Sequence, residues 1–224
     1  MALRRIYTIA KPAENKILRA KAKKISRFDD HLQKLVADMW ETMRAAPGVG
    51  LAAPQIGESI RVLVAEYEDE HCALVNPEIT KRSEEMVLGT EGCLSIPGVV
   101  GDDISRHEAI TIKARDPKGK EIRITAEGWF ARVLQHEIDH LDGVLFTDHI
   151  PPDKVRPVAA DEVVQEGEVE KVKASKNGKA RSATAPDAVL EPEHNERPAE
   201  KPAKPARASR AAASSQPAAE GSAR

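Results

Sequence analysis

The chain has 224 residues, 31% of them charged, and a formal net charge of −2. That length allows one good-sized folded domain, and the near-neutral balance gives no reason to expect a nucleic-acid-binding protein. No run of 18 apolar residues occurs, so no membrane-spanning helix is expected, and Met1 to Tyr7 carries basic residues without the apolar stretch of a secretory signal. Two cysteines, Cys72 and Cys93, allow one bridge at most. With no export signal, reduced thiols are expected and cytoplasmic is the default location, a bacterial cytoplasm being the better reading and an organelle the lesser one.

In chain order, Phe28-Asp29-Asp30-His31 opens a helix on which Leu32, Leu35, Val36, Met39, Trp40 and Met43 recur at helical spacing. Pro47-Gly48 stops it. Residues 60–65, 73–76, 109–114 and 120–125 read as strands, the last two alternating about Asp116-Pro117-Lys118-Gly119 as a hairpin. A second helix runs from about Gly128 to Asp142-Gly143, with Arg132 on a face read as solvated. Helix, several antiparallel strands, then helix is an α+β order, not alternating β-α-β. There are no internal repeats.

Composition changes near residue 150. All seven aromatic residues lie between Tyr7 and Phe146, and nine of the fifteen prolines lie beyond Ile150. The expected organisation is a folded domain over 1–150 and a disordered Ala/Pro/Lys-rich tail over 166–224. Between them, 151–165 is left open, with Pro151-Pro152-Asp153 able to start a short helix. From Lys171 onward eleven Lys/Arg face six Asp/Glu. A flexible extension without a partner is the simpler reading of that surplus; a weak hold on ribosomal RNA is the alternative.

The chemistry starts at Gln135-His136-Glu137-Ile138-Asp139-His140. Two imidazoles four apart lie on one helix face and can reach one ion, while Glu137 stands beside them as a general base. A third ligand is needed, and His31, His71, His107, His149 and His194 compete with carboxylates and the two cysteines. Cys93 stands out because Glu91-Gly92-Cys93-Leu94-Ser95-Ile96-Pro97-Gly98 reads as an exposed turn, whereas Cys72 sits in an apolar strand as filler. A further stretch, Gly48-Val49-Gly50-Leu51-Ala52-Ala53-Pro54-Gln55, brings bare backbone near a ligand and offers the Gln55 amide to an oxyanion.

Together these three stretches resemble, in order and separation, the signature motifs of peptide deformylases, and Ile17-Leu18-Arg19 and Leu145-Phe146-x-Asp148 extend the resemblance over roughly residues 5–150. It implies an α+β fold of antiparallel sheets around a central metal-binding helix. Cys93, His136 and His140 would hold one divalent metal, usually Fe(II), with Zn(II), Ni(II) or Co(II) able to replace it. Glu137 would move the proton, and Gln55 with the Leu94 N–H would meet the oxyanion. Val49, Gly50 and Gly92 would lend backbone to the peptide, and Trp129 and Val133 would line the methionine pocket. Glu91 and Arg106 match a structural ion pair. The implied reaction removes the formyl group from N-formylmethionyl nascent chains, releasing formate, and the protein is expected to be a monomer. Two rivals are a zinc peptidase, which usually completes its site with a carboxylate or third histidine, and a metal-binding or ribosome-associated protein without catalysis.

Overall fold

The computed structural model describes residues 2–158 and two further strands, Glu162–Gln165 and Glu168–Lys171. Helix α1 spans Pro12–Leu18, with proline in the first turn, where a missing N–H costs nothing. Helix α2 spans Asp30–Ala45, and the Asp29 carboxylate accepts the Leu32 N–H at 3.2 Å to cap it. Its stripe of Leu32, Leu35, Val36, Met39 and Met43 is buried, as the spacing requires.

Five strands form one sheet in the order β1-β2-β3-β6-β7: β1 Gly50–Ala52, β2 Val62–Tyr67, β3 Glu70–Arg82, β6 Ala109–Arg115 and β7 Glu121–Glu127. A smaller sheet pairs β4 Met86–Gly92, β5 Val99–His107 and β8 Val155–Pro157. Every pair in both sheets is antiparallel. Helix α3, Gly128–Asp142, packs against β1 and β2 of the large sheet and β5 of the small one. The expected α+β architecture around a central helix is the one observed.

Strand β2 explains why its sequence is apolar without alternation. Leu63 and Ala65 join Phe130, Leu134 and Leu141 of α3 in one core; Val62 and Val64 join Leu35, Met39 and Met43 of α2 in a second. Each such buried Val, Leu, Met or Phe side chain stabilises the fold by about 1.5–3 kcal/mol. A third cluster, Cys93, Ile96, Ile104, Leu145 and Phe146, seals the small sheet.

The four expected strands and the β6–β7 hairpin are present, with bounds moved by one to several residues. Beyond Ile150 the expected short helix is a single 3-10 turn, Pro152–Lys154, because the chain then extends to pair β8 with β5. The sheet therefore continues to Pro157. Of the expected tail, Glu168–Lys171 pairs antiparallel with Glu162–Gln165; the remainder lies outside the described residues. Among the described residues no helix is long and apolar enough to cross a membrane.

Candidate metal centre

Helix α3 ends abruptly because Gly143 turns left-handed (φ 77°), and a Cβ there would lie 2.5 Å from the Arg19 carbonyl oxygen. Upstream, His136 and His140 face one side with ring centroids 5.0 Å apart. The end of β4 delivers Cys93 to the same place, its Sγ 3.2 Å from His140 Nε2. One ligand atom from each of Cys93, His136 and His140 lies within 4.8 Å of the others, and all three residues are buried. Two imidazoles and a thiol so gathered fit a divalent transition metal. The chemistry and the spacing agree.

The ring of His136 is fixed from behind. Its Nδ1 lies 2.9 Å from Glu91 Oε2, which leaves Nε2 to face the cluster. Glu91 is fully buried and also accepts from Arg106 Nε and Nη2, both at 2.9 Å, and from Arg132 Nη1 at 2.8 Å. Burial alone pushes the Glu91 carboxyl up, but the Arg106 and His136 contacts more than offset it and hold it well below the usual carboxylate range. Arg106 is correspondingly held above its ordinary value, and reaches on to Asp139 at 2.5 Å. Asp139 in turn contacts His149 Nε2 at 2.7 Å. The chain of contacts runs from His149 to the His136 ring.

Glu137 is fully buried and lies against strand β1. A Cβ on Gly50 would come within 2.2 Å of Glu137 Oε1, so only glycine lets that carboxylate sit where it does. Gln55 is held by one end: its Oε1 accepts the Ala52 N–H at 2.6 Å, which forces its amide nitrogen toward Cys93 Sγ, 3.8 Å away. The Ser95 N–H points at the same sulfur from 3.4 Å. Leu94 begins the turn closed by the Ile96 N–H on the Cys93 carbonyl at 2.9 Å.

This geometry is similar to that of known proteins. Residues 4–156 match the family model described as polypeptide deformylase. The chain belongs to the polypeptide deformylase family. A peptide deformylase of Symbiobacterium thermophilum is 51% identical over 168 residues, 73% of this chain and 75% of that one. The crystal structure of a peptide deformylase from Legionella pneumophila is 45% identical, covers 68% of this chain and 89% of its own, and superposes with a TM-score of 0.63. That of the Thermotoga maritima peptide deformylase is 40% identical, covers 68% of this chain and all of its own, again with a TM-score of 0.63.

Within this member of the deformylase family, other candidate residues fall as follows. Val49 and Gly50 lie at and beside β1, the outermost strand of its sheet, and Gly92 is buried between Glu91 and Cys93. Trp129 is half-buried and lines a cavity of about 110 Å³ with Val87, Leu88 and Arg132, while Val133 is fully enclosed in the α3 core. Cys72 is buried in β3, and burial pushes its thiol up to about 12. The alternative ligands His31, His71, His107 and His149 stand outside the cluster; His194 lies outside the described residues. Arg132 corrects the sequence reading. It is 3% exposed, because Glu91 and the carbonyls of Ile104 and Val87, at 3.0 and 2.7 Å, draw it inward. Gln135 had no role assigned, yet its amide bonds the His107 N–H and carbonyl and pins α3 to β5.

Proposed function

We propose that the chain hydrolyses the formamide of N-formylmethionyl nascent peptides by the residues of this centre, releasing formate and a free amino terminus. The observation that carries the reading is the convergence of Cys93, His136 and His140 beside the enclosed Glu137 carboxylate. Cys93, His136 and His140 would hold a divalent ion, Fe(II) in the cell with Zn(II), Ni(II) or Co(II) as replacements, which would supply Lewis-acid stabilisation of negative charge.

The chain's own groups do the rest. Glu137 takes a proton from the attacking water and delivers it to the leaving amine. The Gln55 amide, already oriented by Ala52, and the Leu94 N–H donate to the oxyanion on the former formyl carbon; each such donor is worth about 10²–10³ in rate. Val49 and Gly50, with Gly92 opposite, receive the peptide as an added strand on the open edge of β1. Trp129 borders the methionine side chain, and Val133 backs it from the core. A carbonyl bearing only hydrogen enters where a bulkier acyl group is refused.

A thiolate as third ligand disfavours the peptidase reading, since it weakens the ion as a Lewis acid. We place the enzyme in a bacterial cytoplasm as a monomer. Its basic tail gives at most a salt-sensitive contact with the ribosome, which deletion after residue 165 and co-sedimentation at low salt would test.

The deciding experiment is formate release from formyl-Met-Ala-Ser by anaerobically metallated protein, beside the same peptide without its formyl group. Formate from the first and no peptide-bond cleavage in either is the expected result. Metal retained with no formate released would overturn the reading in favour of a non-catalytic metal protein. Glu137→Ala is expected to keep the metal and to retain only a residual rate of hydrolysis.

A further inference from the structure

The back of α3 carries a second cavity, of about 370 Å³, that none of the residues assigned to the metal centre lines. Ile138 and Asp142 border it, each two residues beyond a ligand histidine and so about 200° round the helix from the metal face. Four cationic side chains, Lys21, Lys24, Arg61 and Arg82, line it against two carboxylates, Glu78 and Asp142.

Arg61 makes this more than a surface patch. Only 7% of it is exposed, and its guanidinium donates to the Leu141 carbonyl at 3.1 Å, the Asp142 carboxylate at 2.8 Å and the Pro77 carbonyl at 3.3 Å. Its Nε–H, however, has no acceptor among the described residues. A donor left unpaired in so enclosed a place keeps the guanidinium charge only partly compensated by its protein partners. Arg61 is also nine-tenths buried in a wall that is already set. The Arg61 N–H bonds the Lys23 carbonyl at 2.9 Å, the Lys23 N–H bonds Ser59, and the Ala22 N–H bonds Leu141, each at 2.9 Å. Lys21 and Lys24 therefore project from backbone that is fixed before any ligand arrives, and their own partners hold them loosely, Asp142 at 3.3 Å and Glu78 at 3.7 Å.

We infer that this cavity is a binding site for a phosphate group, with Arg61 at its base and Lys24 and Arg82 at its rim. The fixed guanidinium sets a positive charge at the base, and the exposed cations at the rim supply charge-assisted bonds to an oxyanion. Ile79 and Ile138 give the cavity an apolar side, so a phosphate carried on an organic group fits better than the bare ion. The site stands independently of the reaction assigned to the other face.

The test is calorimetric titration of the full-length metallated protein with inorganic phosphate, adenosine 5′-monophosphate and a short oligoribonucleotide. Saturable binding of the monophosphate that weakens with salt, and falls by about tenfold or more in Lys24→Glu/Arg82→Glu, is the expected result. Formate release by that variant stays at the wild-type rate. Arg61→Lys, which keeps the charge and loses the fork, separates the base from the rim: it weakens the monophosphate too if it folds, and the rim variant decides the matter if it does not. Binding of the oligoribonucleotide alone, lost in the rim variant, supports the site and makes a nucleic-acid backbone the source of the phosphate. No saturable binding of any probe, or binding that survives in the rim variant, overturns the assignment; the survivor would belong to the basic tail.

Discussion

Replacing Gly50 with alanine tests how tightly the base is positioned. The new Cβ would lie 2.2 Å from Glu137 Oε1 and 2.6 Å from its carboxyl carbon. Restoring ordinary contact at 3.4 Å requires the carboxylate to retreat by about 1.2 Å, and an error of roughly that size in a reacting group costs on the order of 10²-fold in rate. Because the carboxylate is the far end of a flexible side chain, the fold absorbs the change and the ligand cluster keeps its metal. The expected outcome for Gly50→Ala is a kcat for formate release down by about 10²-fold, with thermal midpoint and metal content near wild type. In a Glu137→Ala background the same change is expected to do almost nothing, since the collision is gone; the two effects are then strongly non-additive. A kcat within about threefold of wild type, or equal losses in the two backgrounds, would refute the reasoning.

Removing the charge behind His136 by Glu91→Gln leaves two buried arginines under-compensated. It is expected to destabilise the fold by about 3–5 kcal/mol in urea unfolding and to weaken metal binding by about 10–100-fold in a chelator competition. Gln55→Ala should lower kcat by about 10²–10³ with the metal retained. Asp148 is raised by burial but lowered further by Arg19 and the Leu145 N–H, so its folded pKa lies below its unfolded one. Its contribution is fully present above the unfolded pKa and fades as pH falls through the folded one, so thermal midpoints should fall in acid less steeply for Asp148→Asn than for wild type. With its thiol pushed up to about 12 by burial, Cys72 in a Cys93→Ser background is expected to resist alkylation at pH 8 until the protein is denatured.

Periodicity made α2 and the β6–β7 hairpin legible, because each buries one face and exposes the other; α3, enclosed on all sides, was legible from its histidine motif and the Gly143 stop instead. The small sheet was not. Strand β4 begins with exposed Met86, Val87 and Leu88, and β5 places Arg106 among its buried positions, so neither shows a clean alternation. Strand β1 has three residues, too few for a pattern. The convergence of Cys93, His136 and His140 was readable because their motifs pair residue types with spacing. Arg132 was not, because the carboxylate that draws it inward lies 41 positions away in the chain. Gly50 read as bare backbone for a ligand; that it also makes room for Glu137 follows only from the packing of β1 on α3.

The segment Glu91-Gly92-Cys93 has a consequence for how the protein is handled. Three consecutive residues carry one member of the proposed metal cluster and the anchor of another, and they follow an irregularity in the β4–β5 register between Gly89 and Glu91. A slip of one residue there would send Cys93 and Glu91 to the opposite face together. Misfolded chains would thus lose two supports at once and hold no ion tightly. The molar ratio of tightly held metal to protein in a preparation then counts its correctly folded molecules, without any substrate.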